Sequence, residues 1–325
     1  MSKHNEPRIN HDHPAAAAWA CLGADAPSSV TTLKPPRHKA GQRGVFRLHD
    51  AAGPGRHVVA KQCAHQTGLL ERQIHEQILP ALRLPHVGCH GCVPDGGDGL
   101  WLMLDDVGDH ALDAATFSTL AAWLAQLHAR SAALDAAALP DRSLTYYRRH
   151  ARDAAARMTA HIANPVLTAD DRHVLRQLLS ILEALDAAWQ NLLSRAVALP
   201  TVLIHGDLQA KNMRCRHGSA SERVYVLDWE MAGRGCPLVD LASLRRQAHD
   251  ESVIKTYHAA AGSLYGPISS DELDHLTGLG DLLRYIAAID WASHSLAYAW
   301  VDESMWQLRS YSRELPATLR RVRAT

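Results

Sequence analysis

His205-Gly206-Asp207-Leu208-Gln209-Ala210-Lys211-Asn212 follows an apolar run, Thr201-Val202-Leu203-Ile204, and precedes a second run that ends in Leu227-Asp228-Trp229-Glu230. Two strand-like segments therefore flank a polar loop, and the polar side chains come in the order carboxylate, amide, carboxylate: Asp207, Asn212, Asp228. That order suits phosphoryl transfer. A carboxylate at Asp207 accepts or steers the proton of an attacking hydroxyl, the amide oxygen of Asn212 ligates magnesium, and Asp228 supplies an anionic metal ligand. Such chemistry asks the protein for in-line positioning and for cancellation of charge on the moving group, so these three side chains are a sufficient set.

At these residues the sequence resembles the aminoglycoside phosphotransferase and choline kinase family, small-molecule kinases with a protein-kinase-like fold. The pattern His-Gly-Asp-x-x-x-x-Asn followed by Asp is met without a gap. Val58-Val59-Ala60-Lys61, a helix beginning near Glu71, Leu102-Met103-Leu104-Asp105-Asp106 and Asp240-Leu241-Ala242 occur in the order that family shows, over roughly residues 30 to 310. The resemblance implies an α+β, two-lobed fold: a small β-rich N-lobe over 1–106 and a mainly helical C-lobe over 107–325. It also implies ATP or GTP as phosphoryl donor, Mg2+ as cofactor and a small-molecule hydroxyl as acceptor.

The 325 residues suffice for a large core and two lobes, and 47 % hydrophobic against 21 % charged residues excludes a largely disordered chain. Thirty-four basic residues balance 34 acidic ones, so nucleic acid is not an expected partner. Six scattered cysteines suit a reducing cytoplasm better than a disulfide framework. No apolar run approaches the ~20 residues of a membrane span. Ala15-Ala16-Ala17-Ala18-Trp19-Ala20-Cys21-Leu22 imitates a short signal-peptide core, but Glu6 and Asp12 precede it, and an amphipathic helix opened by Pro14 is the expectation. The His-rich first 13 residues read as a mobile tail.

In the small lobe, Val30-Thr31-Thr32-Leu33, Gly44-Val45-Phe46-Arg47-Leu48 and His57-Val58-Val59-Ala60-Lys61 read as strands. Gly41 and Gly44 fall where kinase-like folds cover the nucleotide phosphates, although a plain hairpin turn has the same signature. Lys61 ends an apolar strand and is assigned to the α- and β-phosphates. Its glutamate partner is Glu71 or Glu76, both on a helix predicted over Leu69–Leu82; the family pattern favours Glu71. Backbone groups near Leu104 to Val107, Leu104 and Asp105 foremost, are assigned to the purine. His86, Cys89, His90 and Cys92 invite a zinc reading, yet a lone Cys-x-x-Cys crowded between a helix and a strand makes a poor cage.

In the large lobe, helices are predicted over 116–138, 144–162, 168–196 with Thr168 as cap, and again in the 250–321 tail. His128 reads as a packed core histidine. The resemblance gives His205 the task of holding backbone near Asp207, and Asp240 that of accepting hydrogen bonds from the catalytic loop. Lys211 stands between a solvent lysine and a catalytic one that meets the γ-phosphate. Glu230, Asp290, Trp291 and His294 are assigned to the acceptor. The resemblance thus implies a kinase for an antibiotic or other natural product. A metabolic kinase for a sugar or amino alcohol is the alternative, and an inactive nucleotide-binding module is a third.

Overall fold

The computed structural model describes residues 13–36, 43–134, 139–191, 194, 199–216, 223–250 and 252–323. Residues 1–12 of the expected 13-residue tail and the expected phosphate-loop residue Gly41 lie outside the described residues; His13, the last residue of that tail, instead caps a helix. The chain divides into two compact units, Met1–Leu120 with Ala210–Met231, and Ala121–Gln209 with Ala232–Thr325. The first unit thus takes in 107–120 and 210–231 beyond the expected small lobe. The reason is apolar: Tyr225 and Leu227 pack in one cluster with Leu100, Leu102, Leu104 and Val107.

In the first unit Pro14 opens helix α1 (Pro14–Ala20), where its missing N–H costs nothing, and His13 accepts the N–H of Ala15. The alanine-rich stretch is a packed helix. It buries Ala15, Ala18 and Trp19 against Phe46, Leu48, Val58, Ala60, Trp101 and Met103 of an antiparallel sheet. The sheet runs in the order β1 (Ser29–Lys34), β2 (Val45–His49), β3 (Val58–Ala64), β5 (Gly99–Asp105), β4 (Cys89–Pro94). Register sets Val45 opposite Lys61 and Lys61 opposite Leu102; one step on, Arg47, Val59 and Leu104 align. Because side chains alternate, these six share the face turned away from α1.

The helix expected over Leu69–Leu82 starts earlier and is broken. It comprises α2 (His65–Gln73), a π turn over Ile74–Ile78 and α3 (Leu79–Ala81). Pro80 has no N–H for the ladder and its ring crowds the carbonyl four residues back, so the ladder widens ahead of it. Gly68 lets α2 descend onto the sheet, since a Cβ there would meet Leu100 at 2.4 Å. Strands β8 (Met213–Arg216) and β9 (Arg223–Val226) form a separate hairpin in this unit.

The second unit is mainly helical. It takes residues from Ala121 of α4 (Ala114–Ser131), then α5 (Leu144–His161), α6 (Ala169–Ala187), α7 (Leu238–Ala248), α8 (Ser252–Ala261), α9 (Ser270–Ser293) and α10 (Asp302–Arg323). Thr168 caps α6 in a reciprocal box with Asp171, as its position before two aspartates predicts, but α6 stops at Ala187 rather than 196. Short strands β6 (Asp141–Arg142), β10 (Gly233–Gly235) and β7 (Val202–Ile204) form a sheet in that order. Among the described residues no helix is long and apolar enough to cross a membrane.

Helix α9 packs against α5, α7 and α10. At Gly280 it lies against backbone: a Cβ there would be 1.9 Å from the Leu238 carbonyl oxygen. Gly280→Ala gains up to about 1 kcal/mol of helix propensity but forces two backbones apart, at a cost of about 1–3 kcal/mol or more. The steric effect wins because the opposing atom is backbone. We expect a fall of several degrees in Tm by calorimetry; an unchanged or raised Tm would contradict the close packing.

Candidate functional site

In the first unit Lys61 projects from β3 with its side chain 18 % exposed, and its Nζ lies 2.5 Å from both Glu71 Oε1 and Asp228 Oδ1. Burial opposes its ammonium, but the charges of Glu71 and Asp228 outweigh burial and raise its pKa. Of the two candidate glutamates, Glu71 faces the lysine, whereas Glu76 turns to Arg72 at 2.9 Å. Glu71 is fully buried, and its Oε2 has no hydrogen-bond partner among the described residues. The lysine is therefore the group that offsets the desolvation of that carboxylate.

Asn212 and Asp228 flank the open end of the β8–β9 hairpin. Met213 pairs with Val226, and beyond that pair the N–H of Leu227 donates to the Asn212 carbonyl at 2.8 Å. Asn212 is buried, and Asp228 has φ 65°, a left-handed value that costs a non-glycine residue energy. Trp229, completely buried, locks the following turn by donating from its indole N–H to the Val226 carbonyl. An amide and a carboxylate are hard oxygen donors of the kind magnesium takes, so this pair fits that ion. Lys211 and Glu230 are exposed.

At the end of β5 the Asp105 N–H donates to the Gly88 carbonyl and the Asp106 N–H to that of His57, at 2.8 and 3.1 Å. The expected purine contact at the Asp105 N–H is thus occupied. The Gly108 N–H also stays within the chain, on Asp106 Oδ1, which leaves Val107 as the N–H of this segment without a partner among the described residues. Arg47 clamps the segment through Asp106 and Asp109. A cavity of about 460 Å³ opens beside it, lined in part by Arg47, His86, Val87, Asp105, Val107 and Tyr225. Gly44 donates its N–H to the Gln62 side chain at 2.9 Å. The zinc cluster does not assemble: His90 turns to Asp105, Cys92 to Arg72 and His86 to the Leu84 carbonyl. Among the described residues no three His, Cys, Asp or Glu converge as a metal site.

In the second unit β7 leads directly into the His205–Asp207 turn. Asp240, buried at the start of α7, accepts the N–H of His205 at 2.6 Å and of Gly206 at 2.9 Å, one on each oxygen. The His205 ring accepts the N–H of Asp207 at 3.2 Å, so its nitrogen holds backbone, as the resemblance implies. Asp207 is half-buried and takes a hydrogen bond from the Gln209 amide, a neighbour the sequence did not single out. His128 braces Asp240 from behind, Nε2 to Oδ2 at 3.5 Å, and its Nδ1 meets the buried Tyr257 hydroxyl at 2.6 Å. The core histidine of the sequence thus has a polar task that helical periodicity alone does not signal. Burial pushes the Asp240 carboxyl up, but His128 and then His205 more than offset this and hold its pKa below the ordinary value.

Among the residues assigned to the acceptor, Asp290 is buried and spent on internal partners: His150 at 2.5 Å and Arg157 at 2.8 Å. Trp291 and His294 are exposed, and His294 lies 3.9 Å from Asp290.

The family model described as Phosphotransferase enzyme family (APH) matches residues 32–273. The chain belongs to this phosphotransferase family. Its fold is shared with solved structures at low identity. The microcompartment-associated aminopropanol kinase has 18 % identity and a TM-score of 0.58, over 91 % of this chain and 93 % of that one. Wild-type aminoglycoside 2'-phosphotransferase-IIIa in complex with GDP has 16 % and 0.60, over 89 % and 94 %. The Plasmodium vivax ethanolamine kinase has 11 % and 0.62, over 90 % and 84 %. No curated protein matches the chain by sequence. The phosphotransferase is a small-molecule kinase in class, with the α+β, kinase-like architecture expected.

Removing Asp240 strips one buried and one half-buried loop N–H group, and His128, of their acceptor. We expect Asp240→Ala to cost about 3–5 kcal/mol in denaturant unfolding, the range for breaking a buried charged network. The folded pKa lies below the unfolded one. The stabilisation is therefore complete above about pH 4 and lost as pH falls through the folded value. Asp240→Asn should lack that acid-dependent component; an acid-unfolding profile identical to wild type would refute it.

Proposed function

We propose that this phosphotransferase moves the γ-phosphoryl group of ATP or GTP to a hydroxyl of a small molecule, in the cytoplasm, where that donor is abundant. The observation that carries this is Lys61 held between Glu71 and Asp228, because a cation fixed by two buried or half-buried carboxylates on a sheet face is preorganised for phosphate oxygens. In this reading Lys61 orients the α- and β-phosphates. The purine lies against Leu104 and Val59 and takes a hydrogen bond from the Val107 N–H, with Gly44 near the phosphates.

Asn212 and Asp228 hold magnesium. When bound, the ion neutralises charge on the phosphate oxygens. Asp207 accepts the proton of the attacking hydroxyl; the Gln209 amide and the His205 ring fix its carboxylate and its backbone. His205 and Asp240 act by holding the loop. Natural products and antibiotics, sugars and amino alcohols all carry suitable hydroxyls. The solved structures similar in fold include enzymes named for aminoglycosides, aminopropanol and ethanolamine.

Asp207→Asn is expected to abolish turnover while leaving nucleotide affinity near wild type, because the carboxylate acts on the acceptor. Steady-state kinetics with an equilibrium nucleotide-binding measurement test this, and comparable turnover in the mutant would remove Asp207 from its role. For Lys211 the expected result is a fall in kcat of roughly ten- to a thousand-fold in Lys211→Met with a smaller change in nucleotide KM, since contacts that strengthen in the transition state appear in rate. A wild-type kcat would make it a surface lysine.

A further inference from the structure

Four arginines of the second unit crowd around Asp281 on α9. Arg245 and Arg321 reach Oδ2 at 2.9 and 2.7 Å, and Arg246 reaches Oδ1 at 3.3 Å. Arg245 also pairs with Asp274 at 3.1 Å. The fourth, Arg284, comes no nearer to Asp281 than 4.0 Å, beyond hydrogen-bond length. Asp281 already takes two guanidinium groups on Oδ2 and a third on Oδ1, and Glu314 accepts from Tyr285 and Ser310. Among the described residues the Arg284 guanidinium makes no hydrogen bond, although its side chain is only 22 % exposed. A guanidinium carries five donors and stays charged, so a largely buried one without an acceptor is costly.

The charge left over lies close to the proposed base. Burial first, and the like charge of Arg246 second, pull the Arg284 pKa below its usual value; Asp281 and Asp207 act against them. Geometry places the cluster beside the base: Gln247, next to Arg246 on α7, donates to the carbonyl of Leu208, next to Asp207, at 2.5 Å. Arg246 stacks on the Tyr285 ring at 5.2 Å and donates to its hydroxyl at 3.0 Å, which turns its planar group toward the same cluster. An anion would satisfy the idle donors of Arg284 and relieve its repulsion with Arg246. A carboxylate or phosphate matches the guanidinium fork in two parallel hydrogen bonds. An ammonium would add a third cation.

We propose that the acceptor is an alcohol that also carries a carboxylate or phosphate, and that Arg284, with Arg246 beside it, binds that anionic group while the hydroxyl faces Asp207. The inference rests on the phosphotransferase reading above and narrows its acceptor to an anionic class. Polycationic acceptors are excluded by the same charges.

The test is a panel of short alcohols of different charge, glycerate and glycerol 3-phosphate against glycerol and ethanolamine, with kanamycin as a polycation. Each is incubated with the wild-type enzyme, ATP or GTP and magnesium, and a mass gain of one phosphate is read. The expected result is product from an anionic member. Arg284→Gln should then raise the KM of that acceptor about ten- to a hundred-fold, as for loss of a hydrogen bond to a charged group, with nucleotide KM within about two-fold. Arg284→Lys should recover part of the loss. Unchanged nucleotide affinity in both variants shows that they are folded.

Turnover confined to neutral or cationic members, or an anionic-acceptor KM indifferent to Arg284, overturns the proposal and leaves the kinase reading standing. A fall in kcat of equal size on every acceptor also overturns it, and assigns Arg284 to the phosphate of the donor. Absence of any phosphorylated product from the panel counts against both.

Discussion

A single ammonium joins three parts of the first unit. Lys61 comes from the sheet, Glu71 from a helix ten residues on, and Asp228 from the end of a hairpin 167 residues away. Each carboxylate would be costly alone, because burial without a counter-charge costs several kcal/mol per ion. The lysine makes the three mutually dependent. The same requirement explains local oddities: Gly68 is small so that α2 can lie on Leu100, and Asp228 accepts a left-handed backbone to aim its carboxylate.

The second unit uses a different device for the same purpose. Its loop is held by Asp240, whose two oxygens accept successive backbone N–H groups, and Asp240 is in turn braced by His128 and, behind it, Tyr257 and Tyr265. Every member of that chain is buried. Where the carboxylates of Glu71 and Asp228 fix one side chain, Lys61, Asp240 removes freedom from the backbone of the loop that carries Asp207. Preorganisation of this kind is what lets a phosphoryl-transfer site act without rearranging its own dipoles.

Charge at the whole-chain level conceals the local pattern. Basic and acidic residues are equal in number, yet four arginines share the surroundings of Asp281 and one of them finds no hydrogen bond among the described residues. Asp290, which sits in the sequence like an acceptor-binding acid, is consumed by His150 and Arg157.

The sequence by itself determined the architecture and the order of chemistry along the chain. Continuous apolar runs marked the strands through Val58–Lys61 and Leu102–Leu104. Thr168 before two aspartates marked a helix start, and His205 to Asn212 with Asp228 marked the loop, because these signals are local and need few neighbours to be read. Only the tertiary structure decided which glutamate meets Lys61, that Pro80 breaks the helix after it, and that segment 210–231 belongs with the first unit. It also decided that His128 serves Asp240 and that Arg284 has no hydrogen-bond acceptor among the described residues. Those outcomes depend on which groups, distant in sequence, compete for the same oxygen or the same apolar surface, and periodicity along one segment carries no record of that competition.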